Sequence, residues 1–211
     1  MKKLIIALVA AIFSTSSHAQ IQAGEFSMDK STVYYGVRLG LNVANITGDQ
    51  ETLSSKAGLN FGAVVGLRIS ETTPLFIESG LYYTQRGAEK NRTEVNLNYL
   101  EIPILIKAGF NVTDDIAVLP FIGPTFAVGI SGKQKGYEKD DKGVETFYSE
   151  KSFGSNGNYK RGDMGIKLGC GAEWNMLYAE LGYQFGVANI FDSDEFTQHG
   201  NALFLNIGVN F

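Results

Sequence analysis

Between positions 33 and 43 every second residue is apolar. Val33, Tyr35, Val37, Leu39, Leu41 and Val43 share one face, and Tyr34, Gly36, Arg38, Gly40 and Asn42 share the other. A period of two is that of an extended strand with two unlike faces. The pattern returns seven more times, over 58–70, 75–87, 99–110, 116–131, 162–174, 177–189 and 202–211, and no helical spacing interrupts it. The connections alternate in length: 71–74, 111–115 and 175–176 are short, whereas 46–57, 88–98, 132–161 and 190–201 are long and polar. Short turns on the periplasmic side and long loops outside are the habit of outer-membrane barrels. The expected fold is all-β, an eight-stranded antiparallel up-and-down transmembrane β-barrel over 33–211.

Alternation alone does not say which face is outside, because a soluble secreted ligand-binding barrel has the same period with its apolar face turned in. Volume and charge separate the two. An eight-stranded barrel has room inside only for its own side chains or one small ligand, and the large Leu, Ile, Val and aromatic residues of the apolar face would overfill it. Gly36, Gly40, Gly62, Gly66, Gly80, Gly123, Gly165, Gly169, Gly182 and Gly208 lie on the opposite face, where the wall curves in on itself. None of the apolar-face positions is charged, in a chain that is 19% charged. A Lys or Arg facing lipid at the midplane of a barrel costs about 2–4 kcal/mol. The apolar face is therefore expected to touch lipid. It ends in aromatics at both levels: Phe110, Trp174 and Phe211 at one rim, Phe61, Tyr83 and Phe185 near the other. These are the expected interfacial girdles.

Residues 1–19 read as a signal peptide: Lys2 and Lys3, an apolar core from Leu4 to Phe13, then small residues at Ser17 and Ala19. Residues 20–32 are expected to be a periplasmic N-terminal segment. Without Lys2 and Lys3 the chain has 16 basic and 22 acidic residues, a net charge of −6, which argues against nucleic acid. The single Cys170 faces lipid and makes no internal disulfide.

The inward face carries Arg38, Arg68, Arg86, Lys107 and Lys167 against Glu78, Glu101, Asp163, Glu173 and Glu180. Charges taken out of bulk water must be paired or hydrogen-bonded, so these form an expected lumen network. The turn at 71–74 sets Arg68 almost opposite Glu78, and the following connection sets Arg86 near Glu101; both are expected cross-strand ion pairs. The set fits a plug that holds the barrel in shape, and bulky inward Phe76, Tyr82, Leu105, Phe121, Tyr178 and Phe204 favour the plug over a narrow charged pore.

Chemistry is sparse. His199 is the one histidine beyond the leader, and Asp192, Ser193, Asp194 and Glu195 lie near it. A lone loop histidine is ordinarily solvated, so a lipid-modifying enzyme at the rim is the weaker expectation. The acidic residues lack the glycine and distal Glu of a calcium loop, so no metal or other cofactor is expected. The segment 132–161 mixes Lys and Glu with Tyr137, Phe147, Tyr148 and Phe153. It reads as a mobile surface loop whose aromatics either meet a partner or the sugar surface, or fold back over the barrel mouth. Pro103, Pro120 and Pro124 lie within strands and mark gaps or bulges.

Several segments resemble the PorT-like family of outer-membrane β-barrel proteins, related in architecture to OmpX and the OmpA membrane domain. They are 34–42 (YYGVRLGLN), 77–87 (IESGLYYTQRG), 99–105 (YLEIPIL), Asp163-Met164-Gly165 and 169–173 (GCGAE). The resemblance implies a signal-bearing eight-stranded outer-membrane barrel without a cofactor. Its partners would be the outer-membrane lipid and the barrel-insertion machinery, which reads a terminal aromatic such as Phe211. Some members take part in secretion across the envelope, and nothing in this chain carries that role over. The expectation is a non-enzymatic barrel with surface loops for envelope or partner contacts; the alternative is a small porin-like diffusion pore.

Overall fold

The computed structural model describes residues 33–48, 54–70, 73–90, 93–139, 145–154, 157–192 and 197–211. The expected leader, the segment 20–32 and the acidic Asp194 and Glu195 lie outside them. The wall consists of β1 (Val33–Gly48), β2 (Ser54–Arg68), β3 (Leu75–Lys90), β4 (Thr93–Ala108), β6 (Ile116–Lys139), β8 (Gly162–Trp174), β9 (Leu177–Gly186) and β10 (Gln198–Asn210). β5 (Phe110–Asn111) is a short annex on β6, and β7 (Glu145–Lys151) pairs the far end of β6. Neighbours run antiparallel in chain order, β10 pairs β1, and β4 pairs β6, so the sheet closes as an eight-strand barrel. Closure leaves no open edge among the eight wall strands, so their backbone groups pair with one another rather than with water.

Burial alternates along each strand. Leu39 is 57% exposed and Ile166 44%, while their neighbours Arg38 and Lys167 are buried. The apolar face is thus the outer one. Phe211 sits beside Tyr35, its N–H donating to the Tyr35 carbonyl at 2.7 Å, and Trp174 lies opposite Ile116. Phe61 and Tyr83 are directly opposed, with ring centroids 5.1 Å apart, at the other level. The two-residue turn after Trp174 uses Asn175 at φ 54°, a left-handed conformation that Asn tolerates better than most residues.

Pro103 and Pro124 interrupt the ladders. β3–β4 pairing skips from Ser79↔Ile104 to Tyr82↔Glu101, and β4–β6 pairing skips from Pro103↔Thr125 to Ile106↔Ile122. Proline has no N–H to give. The Ser79 hydroxyl donates to the Pro103 carbonyl at 2.8 Å across the first gap.

The wall is taller on its outer side than the alternation predicts. β3 and β4 continue through the expected loop 88–98 to Lys90 and from Thr93, and β6 runs to Lys139 rather than stopping at Ser131. The segment 132–161 is therefore not simply a mobile loop: its first half is a β-hairpin, with Tyr137 opposite Phe147. β9 ends at Gly186 instead of Asn189, and β10 starts at Gln198 instead of Ala202. Above the lipid the outward positions turn polar, as at Asn96 and Asn98, while inward Val95 and Leu97 stay apolar, so the contrast of the lower wall is exchanged while the backbone ladder persists.

Candidate functional site

Two tiers of charge fill the lumen. In the periplasmic tier Glu78 is the hub. It accepts from the Tyr34 hydroxyl at 2.6 Å and pairs with Lys107 at 2.8 Å and Arg38 at 3.5 Å. Lys107 Nζ also donates to the Tyr178 hydroxyl at 2.7 Å, and Tyr178 donates to Glu180 at 2.9 Å. Arg38 lies 4.0 Å over the Tyr178 ring and donates to Asn210 at 2.6 Å; Asn210 in turn donates to Glu173. This tier has one more acid than base, and hydroxyl and amide donors meet the surplus, including Asn206 to Glu180 at 2.8 Å. Hydrogen bonds to an ionised carboxylate are about twice as strong as neutral ones.

The outer tier is balanced. Arg86 pairs with Glu101 and, at 2.6 Å, with Asp163, and donates to Gln184 at 2.9 Å. Lys167 pairs with Glu101 and stands over the Phe204 ring. Packed apolar layers lie around the tiers. Tyr34, Phe76, Tyr82, Leu119 and Tyr178 form the periplasmic floor, and Leu105, Phe121 and Phe204 lie at the middle. Ile46, Val95, Leu97, Tyr99, Phe153, Tyr159 and Ile190 cluster towards the outer mouth.

Of the two ion pairs expected from the sequence, Arg86 meets Glu101. Arg68 does not meet Glu78: its register partner is Phe76, and its Nε donates to the Ser70 carbonyl at 2.9 Å. The reason lies in β2. Tyr34, Gly66 and Glu78 stand in one row across β1, β2 and β3. Gly66 has no side chain, so the Tyr34 ring passes over it and delivers its hydroxyl to Glu78. A Cβ on Gly66 would lie 2.0 Å from that ring. Gly208, opposite Arg38 on β10, leaves room in the same way for the Arg38 side chain. The sequence placed glycines and bulky residues on the inner face but did not pair them.

The expected alternatives for the aromatics of 132–161 divide. Phe153 folds back into the mouth, as does Tyr159, whose phenol is pushed up to about 12 by burial, with Tyr148 a lesser cause. Tyr137 and Phe147 are 49% and 54% exposed on the projecting hairpin, edge to face at 5.5 Å. Tyr148 lies over Gly136, facing its own hairpin. His199 is half-buried, and its Nδ1 is 3.0 Å from the Ala188 carbonyl, a structural contact. No group of His, Cys, Asp or Glu among the described residues is arranged to hold a metal.

Above the outer girdle the wall turns polar row by row. Tyr83 and Leu100 give way to Gln85 and Asn98, and these to Asn96 and Glu94. Asn98 donates to Ser131 at 2.9 Å. Lys56 reaches Glu94 and Asn96; the hydrogen bond from Lys56, then that from Asn96, hold the Glu94 carboxyl below its usual range. Beside this ladder, a cavity of about 560 Å³ is lined by Lys56, Lys133, Lys135, Lys151, Arg86 and Arg161.

Solved structures of three outer-membrane proteins are similar to this chain. Neisserial surface protein A aligns at 16% identity and TM-score 0.50, covering 86% of this chain and 98% of its own. Ail, the attachment invasion locus protein of Yersinia pestis, aligns at 11% and 0.45, covering 86% and 100%. A major outer membrane protein of Thermus thermophilus aligns at 12% and 0.48, covering 86% and 100%. At such identities the likeness is one of fold. No curated protein matches the sequence. The family described as outer membrane protein beta-barrel domain matches residues 18–192. With its closed barrel and apolar outer wall, the chain belongs to that family and resides in the cell outer membrane.

Proposed function

We propose that the protein is a non-enzymatic, non-conducting outer-membrane barrel that presents its outer rim for contacts with the envelope or a partner. The observation that supports this is the burial of charge inside the barrel: Glu78 and Lys107, in the periplasmic tier, have fully buried side chains, 2.8 Å apart. Apolar clusters lie at the floor and at the middle of the lumen, on either side of the Glu78–Lys107 pair. A small barrel whose interior is filled in this way is a scaffold, and its variable chemistry belongs to the rim. The segments 34–42, 77–87 and 99–105 support a place among the PorT-like barrels. Phe211, exposed at the end of the last strand, serves as the signal for insertion.

Planar-bilayer recording of the purified full chain tests the proposal. The expected trace shows no steady openings on the nanosiemens scale. Sustained openings of that size would make the protein a diffusion pore and overturn the plugged reading.

A further inference from the structure

The cavity of about 560 Å³ at the outer rim has a charge pattern that the barrel does not need. Lys133 on β6 and Lys151 on β7 are directly opposed in the ladder. Like charges facing each other across strands are destabilising, and among the described residues no carboxylate pairs with either. Lys135, Arg161 and Lys56 line the same space, Arg161 donating to the Gly129 carbonyl at 2.8 Å. The one acid at its edge, Glu94, is held by Lys56. Asn96, Asn98 and Gln85 add amide groups, and among the described residues no carboxylate lines the cavity. Such a site repels cations, and lysines converging on one space are point-charge binders of phosphate.

Its height on the wall narrows the ligand. The cavity begins one row above the outer aromatic girdle: Gln85 Nε2 donates to the girdle Tyr83 hydroxyl at 3.3 Å. Ile130, which belongs to the lipid-facing surface, forms part of its lining. Aromatic girdles mark the boundary between acyl chains and headgroups, so the lysines stand at headgroup level on the outer leaflet. A soluble polyanion reaching only the loop tips would have no use for a site that starts at the lipid edge.

We infer that this cavity binds the phosphate of a phosphorylated lipid headgroup in the outer leaflet, with Lys133, Lys135 and Lys151 as its main contacts. The inference rests on the outer-membrane reading but not on the plugged lumen, so a conductance result leaves it standing or falling by itself.

The test uses the purified full chain in nanodiscs containing either bisphosphorylated lipid A or its dephosphorylated form, with retained lipid quantified by native mass spectrometry. A parallel arm adds inorganic phosphate to lipid-free micelles. Wild-type protein is expected to retain the phosphorylated lipid at least tenfold better than the dephosphorylated one, and retention should weaken with added salt. The K133Q/K151Q variant should lose about tenfold of that preference while keeping heat-modifiable gel mobility as evidence of an intact barrel. Equal retention of the two lipids, or an unchanged preference in the variant, would overturn the inference. Inorganic phosphate binding as tightly as the lipid would overturn the lipid assignment and leave a free-anion site.

Discussion

Glu101 shows most plainly what a single lumen residue does. Its carboxylate meets both Arg86 and Lys167 in the outer tier. Arg86 has a second acid in Asp163, whereas Lys167 has only Glu101 as an ion-pair partner among the described residues. Glu101→Gln therefore leaves a buried ammonium uncompensated, which costs about 3–5 kcal/mol. The expected result is a matching fall in unfolding free energy, read from the urea dependence of heat-modifiable mobility in vesicles. Adding Lys167→Met should recover much of the loss, because it removes the orphaned charge; a double variant no more stable than the single one would contradict the pairing. Outside the membrane, Glu94 offers a pH prediction. Its carboxyl titrates below the ordinary value of about 4.3 because Lys56 donates to the ionised form. A depressed carboxylate contributes stability above the unfolded value and loses it as pH falls through the folded one. The Lys56–Glu94 link should therefore persist through neutral and mildly acidic pH and break only below the ordinary carboxylate range. Carbon-13 titration of the Glu94 carboxyl checks this, and a midpoint at or above about 4.3 would refute it.

At the level of strands, the inner wall works by laying a ring on one strand over a glycine on the next. Tyr34 covers Gly66, Tyr82 covers Gly62, and Phe204 covers Gly182, each directly opposed in register. Such pairs fill the lumen while keeping the wall tightly curved. Gly66→Ala would drive a methyl into the Tyr34 ring and separate its hydroxyl from Glu78. Overpacking of this kind costs about 1–3 kcal/mol, and Gly66→Ala/Tyr34→Phe should be less than additive, since both break the same bond. The strands themselves were legible from residues such as Val37 and Leu39, because lipid forbids charge on every second position. The partners of Glu78 were not: a period of two says that Arg68 and Glu78 share a face, but not that Gly66 lets Tyr34 arrive first. The tall outer wall was illegible for a related reason. There Asn96 and Asn98 face outward while Val95 and Leu97 are buried inward, so the polarity of the two faces is exchanged and the pattern of the lower wall breaks off. The cationic cavity needs Lys56, from β2, brought beside Lys133 and Lys151, a closeness that only the register reveals.

The barrel as a whole stands on its apolar wall facing hydrocarbon, and the chain carries its own reporter. Cys170 is the sole cysteine. It lies exposed on the outer face of β8 between Leu168 and Ala172, opposite Pro120 and Leu181. It is four residues from the girdle Trp174, which at about 3.3 Å per residue and a strand tilt near 45° sets it about 9 Å into the acyl region. A thiol-reactive fluorophore attached there should be quenched strongly by lipids brominated on their acyl chains and hardly at all by aqueous iodide. Moving the label to a cysteine at Tyr137, on the projecting hairpin of an otherwise cysteine-free chain, should reverse the two sensitivities. If the Cys170 label instead answered to iodide, or to neither quencher, β8 would present this face to water or to protein. The same sheet would then have to enclose its apolar side, which the packed charges at Glu78, Lys107 and Glu101 leave no room for.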